Sequence, residues 1–206
     1  MTTVTSPFKI WIGIDPARAG AVTVLAASPN GGAAALLVVS WKKVTRAKRR
    51  VFLVDIWRHT NPKKKTQKIG YFAAHISRLI TEELYDLVVE MGYQIEDIDF
   101  TIATEDAYVG KSARTGLSVA RFGGQIAGVL EGFVRSESLW IRAAGWRKPV
   151  LNLSHFTKRE QAKRASLAGI PPLVVRLRDS MKILGDLDHI TDSAGVALWA
   201  KDHNNK

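Results

Sequence analysis

The hydrophobic pattern of this chain changes its period near Gln67, and that change sets the fold class. Before it stand short apolar, β-prone runs: Phe8 to Ile14, Ala21 to Ala27, Ala35 to Trp41 and Val51 to Trp57. Turn chemistry separates them, first Asp15-Pro16 leading to Gly20 and then Asn30-Gly31-Gly32; these residue types reverse a chain at little steric cost. The basic stretch Lys42 to Arg50 leads into the last run, and the region reads either as one long hairpin or as two short ones. Beyond Gln67, the residues Ile69, Phe72, Ala73, Ile76, Leu79, Ile80, Leu84, Leu87 and Val88 fall at helical spacing and predict one amphipathic helix.

Helical and extended segments then alternate. Phe100 to Thr104 reads as a strand, about Thr115 to Arg135 as a helix, and Leu139 to Arg142 as a last short strand. Gly116, Ala120, Gly123, Gly124, Ala127 and Gly128 are poor helix formers together, and they predict a helix whose backbone lies close to a sheet. Basic helical segments around Ala144 and from Thr157 to Leu167 precede Pro171-Pro172, and a closing helix runs from about Leu187 to Lys201. Three antiparallel strands, helix-strand-helix-strand and a final helix make an α/β pattern. That order resembles the ribonuclease H-like fold, which implies a mixed five-stranded sheet with an antiparallel three-stranded start and helices on both faces. With no internal repeat or low-complexity linker, residues 1–206 are expected to form a single domain.

Charge narrows the partner. Thirty Lys and Arg against nineteen Asp and Glu leave a net charge of +11. Such an excess on a folded domain favours a polyanion, nucleic acid first and an acidic membrane surface second. No apolar run reaches membrane-spanning length, so no membrane span is expected. The opening MTTVTSPFKI lacks the basic start and apolar stretch of a secretory leader. Cysteine is absent, which excludes disulfides and thiolate zinc sites and fits a reducing cytoplasm, bacterial or that of a phage-infected host.

Chemistry is expected where acids end otherwise apolar elements. Asp15 closes the run Trp11-Ile12-Gly13-Ile14-Asp15; it is either the start of an Asp-Pro turn or a carboxylate whose edge burial must be compensated. Glu105 repeats the situation after Phe100 to Thr104, with an exposed loop acid as the plainer reading. In the closing helix, His189 and Asp192 share a face three residues apart, and Asp188 and Asp192 stand four apart; capping of the helix start is the plainer reading there. Taken together, two strand-end carboxylates and a His-Asp pair on one helix are donors for a hard divalent cation such as Mg²⁺. Hydrolysis of a phosphodiester accounts for an acidic cluster in a basic protein, because the basic surface holds the polyanion and the acids hold the metal.

These residues resemble a known family, the RuvC-type Holliday junction resolvases. Ile12-Gly13-Ile14-Asp15-Pro16 looks like the family's opening strand, Ile102 to Tyr108 followed by Lys111 and Arg114 like its second acidic motif, and His189 to Ala194 like its terminal helix. Arg142 to Lys148, with Arg147 and Lys148, and then Thr157-Lys158-Arg159 resemble its basic DNA-contacting segment. The resemblance implies a structure-selective, Mg²⁺-dependent endonuclease of DNA recombination and repair, which cuts four-way DNA by two-metal-ion hydrolysis. Its products would carry 5′-phosphate and 3′-hydroxyl ends, and Mn²⁺ would substitute. Asp15, Glu105, His189 and Asp192 would be both catalytic residues and ligands of two ions, with Asp188 competing for the fourth position. Tyr108, Lys111, Arg114, Arg147, Lys148, Lys158 and Arg159 would contact DNA, Tyr108 by stacking on a base unless it is a core residue. Lys63-Lys64-Lys65 and Lys42 to Arg50 are either solvated charge runs or a wider DNA footprint.

A homodimer is implied as well, since a junction has two strands to cut. The helix around Ile69 to Val88 would supply its interface unless the sheet takes up the apolar face. Alternatives are a nuclease for other branched DNA or RNA–DNA hybrids, a non-catalytic junction-binding protein, and a phosphotransferase of actin-like ATPase fold. The last lacks its phosphate loops here, with neither G-x-x-x-x-G-K-[ST] nor G-x-G-x-x-G present.

Overall fold

A computed structural model describes residues 8–17, 19–27, 33–46, 49–61, 63, 65–106, 113–151 and 187–203. The β-prone runs become β1 (Phe8–Asp15), β2 (Ala19–Ala27), β3 (Ala33–Arg46) and β4 (Arg49–Arg58), each antiparallel to the one before. Within the basic stretch, Lys42 to Arg46 end β3 and Arg49-Arg50 begin β4, paired antiparallel as in the long-hairpin reading. A fifth strand, β5 (Lys65–Gly70), pairs antiparallel with β4. Helix α1 spans Ala73–Glu90, so Ile69 belongs to β5 and Phe72 is the exposed residue before the helix, not part of its apolar face. Pairing with β4 outweighs the helical spacing at that end. The helix stops where Gly92, at φ 82°, takes a left-handed conformation that a side chain would strain.

Strands β6 (Ile98–Glu105) and β7 (Ser138–Ile141) add to the other side of β1, both parallel. The result is a seven-stranded sheet in the order β5-β4-β3-β2-β1-β6-β7. The expected five strands undercount it, because β4 and β5 extend the antiparallel half. Helices α2 (Ala113–Val134), α3 (Ala143–Leu151) and α4 (Leu187–His203), with a short 3₁₀ helix at Ile95–Asp97, complete the described elements. Among the described residues, no helix is long and apolar enough to cross a membrane.

Alternation along the strands sorts the core into two layers. Ile10, Ile12, Ile14, Val22, Val24, Leu37 and Val39 face α1 and α2, packed with Ile76, Ile80, Leu84, Leu87 and Ile126. The apolar face of α1 is thus spent on the sheet and is not the dimer interface considered from the sequence. Arg58 at the end of β4 ties α1 down: its Nε donates to the buried Glu83 at 2.6 Å, and its other nitrogens reach Asp86 and Glu90.

The opposite face is built from smaller residues. Ala21, Leu25, Ala33, Ala35 and Ala103 pack against Ile190, Ala194, Val196, Ala197 and Ala200 of α4 and Trp146 of α3. Small side chains let a helix backbone come close to a sheet. Closest approach is at Gly13, where an added Cβ would stand 2.9 Å from Cα of Ala197 and nearer still to the Ser193 carbonyl oxygen. Thr23 Oγ1 and Ser193 Oγ, 2.7 Å apart, add a buried hydrogen bond between sheet and helix. The glycines of α2 only partly match the close packing expected of them. Gly123 lies against the Pro16 ring, but Gly124 and Gly128 face open space.

Candidate active site

The four acid and histidine positions come from three elements that meet at one edge of the sheet. Asp15 closes β1 and Glu105 closes β6, and the strands pair in parallel with Ile14 beside Thr104. Adjacent strands lie about 4.8 Å apart, so both carboxylates emerge side by side. Asp106 donates its backbone N–H to the Ile141 carbonyl at 2.8 Å, which secures the strand end behind Glu105. Above them passes the first part of α4, brought down onto β1 at Gly13.

His189 and Asp192 both reach this edge. His189 Nδ1 lies 2.6 Å from Asp15 Oδ2. Asp192 is 3 % exposed, and its Oδ2 stands 3.4 Å from an Arg147 guanidinium nitrogen. The same nitrogen is 3.7 Å from Glu105 Oε1, so Arg147 bridges the strand acid and the helix acid. Trp146, beside it on α3, donates its indole N–H to Glu105 Oε2 at 3.0 Å.

Trp146 is a site residue that sequence reasoning passed over. It is fully buried, and Gly195 of α4 makes room for its ring. The available signal was a tryptophan within a basic helical segment, where a residue so large and apolar must pack against something and its N–H needs an acceptor.

Burial beside other carboxylates shows in the electrostatics of Glu105. Burial and the charges of Asp15 and Asp192 push Glu105 up from 4.5 to about 7, against the opposing pull of Arg147 and the Trp146 hydrogen bond. An acid with a raised folded pKa contributes stability that is full below its unfolded value and is lost as pH rises through its folded value. Metal-free protein should therefore lose stability between about pH 4.5 and 7, by up to about 3 kcal/mol. Glu105→Gln should flatten that decline, as followed by urea unfolding across the same range. An unchanged slope in the variant would assign the titration to another group.

Among the described residues, no three His, Asp or Glu side chains stand as a ready ligand set for a metal ion. His189 instead engages Asp15, and Arg147 engages Glu105 and Asp192. The donor set nonetheless fits a hard divalent cation in its chemistry, being three carboxylates and an imidazole. Glu105 is raised first by burial and then by the negative charge of Asp15, and a cation beside it would oppose the second effect.

Of the expected DNA contacts, Arg147 is half-buried within the acidic cluster and Lys148 is exposed on α3. Arg114 lies in the first turn of α2 and Asp188 in that of α4, both with side chains outside the described residues. Tyr108, Lys111, Lys158 and Arg159 also lie outside the described residues, as does the segment from Thr157 to Leu167.

The chain thus combines a mixed seven-stranded sheet, helices on both its faces and an acidic cluster at the ends of β1 and β6. No protein-family model and no curated protein matches the sequence. Among solved structures the chain is similar to T. thermophilus RuvC in complex with Holliday junction substrate. The TM-score is 0.52 at 12 % sequence identity, over 96 % of this chain and 95 % of that one. The likeness is one of fold.

Proposed function

We propose that this protein is a structure-selective DNA endonuclease that resolves Holliday junctions by metal-dependent phosphodiester hydrolysis. One observation carries the reading: Asp15, Glu105, His189 and Asp192, distant in sequence, gather at one sheet edge of a chain with net charge +11. The likeness of fold to RuvC, whose solved complex holds a Holliday junction, supports four-way DNA as the substrate.

Asp15, Glu105, Asp192 and His189 would hold two Mg²⁺ ions, with Mn²⁺ able to replace them. When bound, such ions activate a water for in-line attack and stabilise the departing 3′-oxygen. The protein's own groups prepare this. His189 orients Asp15, and the Trp146 indole fixes Glu105 and keeps water from that side of the carboxylate. Glu105, with its carboxyl pushed up to about 7 by burial and by the charge of Asp15, would bind a cation as the carboxylate. Arg147 is placed to turn from the carboxylates to a phosphate, where its charge would stabilise the transition state. Two copies about a two-fold axis would cut the two strands in concert, leaving 5′-phosphate and 3′-hydroxyl ends. Recombination and repair in a cytoplasm are the setting of such an enzyme.

The neutralised pairing of the acids also suits a second reading, a non-catalytic junction-binding protein. One experiment separates the two. Labelled four-way junction, flap and RNA–DNA hybrid are incubated with the protein, with and without Mg²⁺ or Mn²⁺, and every cut is mapped. Paired, metal-dependent cuts in the four-way junction are expected. Binding without cuts at any metal concentration would leave the second reading, and preferential cutting of flap or hybrid would reassign the substrate.

A further inference from the structure

Alternation along β3, β4 and β5 divides their cations between the two faces of the sheet. On the α1 face Arg50 is exposed, while two lysines there are engaged. Lys43 Nζ stands 5.1 Å from the Tyr71 ring, and Lys65 pairs with Glu83 at 3.3 Å. The other face carries Lys42, Arg49 and Lys68, all exposed, and among the described residues none of them has an ion-pair partner.

That second face is the face of Asp15. The pairing Asp15–Ala21–Ser40–Asp55–Thr66 forms one row from β1 to β5. Asp55 in this row is buried and accepts a hydrogen bond from Thr66 Oγ1 at 2.5 Å. Lys42, Leu53 and Lys68 make the next row, then Val44, Val51 and Gly70, and Arg49 opposite Arg46 stands in the last. Strand β3 runs parallel to β1 through two antiparallel steps. From Ser40 to Arg46 it therefore continues past the end of β1 for about 20 Å, at roughly 3.3 Å per residue. Lys42 stands two strands and one row from Asp15, roughly 12 Å away.

We infer that the β3–β4 hairpin and β5 form a cationic wing that carries the phosphate backbone of a duplex arm away from the carboxylate cluster. Its cations are strung out over half-buried Val44, Val51 and Leu53 rather than convergent, which does not suit a single small anion. A duplex, with one charge per about 1.7 Å of axis, offers phosphates along such a line, and the wing would span roughly six base pairs. This inference rests on the DNA-binding part of the proposed function but not on cleavage.

The test is a matched pair of double variants in full-length protein, with junction binding measured in EDTA over a salt series. Lys42→Gln with Arg49→Gln changes the carboxylate face; Lys43→Gln with Arg50→Gln removes the same charge from neighbouring positions on the α1 face. The first should weaken binding roughly tenfold and lower the salt slope by about two, the change expected when two phosphates are no longer neutralised. The second should leave the slope nearly unchanged, and equal melting temperatures would exclude misfolding. Equal weakening in both doubles, or none in the first, would overturn the wing while leaving junction binding intact. A wild-type protein that binds no DNA but sediments with anionic vesicles would overturn the wing and the function reading together.

Discussion

Asp15→Asn should leave junction binding within a few-fold of wild type and reduce strand cutting by at least about a thousandfold, or roughly 4 kcal/mol of transition-state stabilisation. The substitution preserves shape. An asparagine oxygen can still accept from the His189 ring, so the contact between β1 and α4 that now spans 2.6 Å has a replacement. What disappears is the charge, and with it the donor best placed to serve a cation between the two strand ends. Binding measured in EDTA and nicking measured with Mg²⁺ on the same junction check both halves of the expectation. Undiminished nicking would remove Asp15 from the chemistry.

Gly13→Val should be the most damaging change away from the acids. Its Cβ would meet the backbone of α4 at Ser193 and Ala197, and backbone cannot rotate aside as a flexible side chain can. Either β1 bends or α4 lifts. Overfilling a packed core costs about 1–3 kcal/mol, and a branched side chain against main chain belongs at or above the top of that range. The loss should reach activity too, because α4 carries His189 and Asp192 to the strand ends. A valine variant with wild-type unfolding free energy and wild-type cutting would mean that α4 does not lie where Gly13 now admits it. A variant that is stable but inactive would localise the harm to the position of the helix.

The two further expectations on Glu105 and on the hairpin test different physics. The first asks whether one carboxyl is held neutral by its neighbours, and the second asks which side of a sheet a polyanion meets. Neither depends on the outcome at Gly13.

Much of this architecture could be read from residue order. Four β-prone runs and their turn residues foretold β1 to β4, and the order of strands and helices, through the fold it resembles, implied helices on both faces of the sheet. The strand-end acids stood out because a carboxylate is costly beside Ile12 and Ile14 unless something answers its charge. Local pattern misled where two patterns overlapped. Ile69 continues the helical spacing of α1, yet pairing with β4 claims it for the strand Lys65–Gly70. The glycines of α2 looked like packing residues, and only Gly123 among Gly123, Gly124 and Gly128 meets a neighbour.

Periodicity and composition are properties of neighbours in the chain, and they sufficed for an α/β class of fold and for the acids worth watching. Long-range pairing set the rest. Trp146 and Arg147 reach Glu105 because α3 packs on α4, and Lys42 parts company with Lys43 because adjacent residues of a strand face opposite ways in a particular sheet. Contacts between segments more than a hundred residues apart, such as His189 with Asp15, exist only once the closing helix has settled onto Gly13.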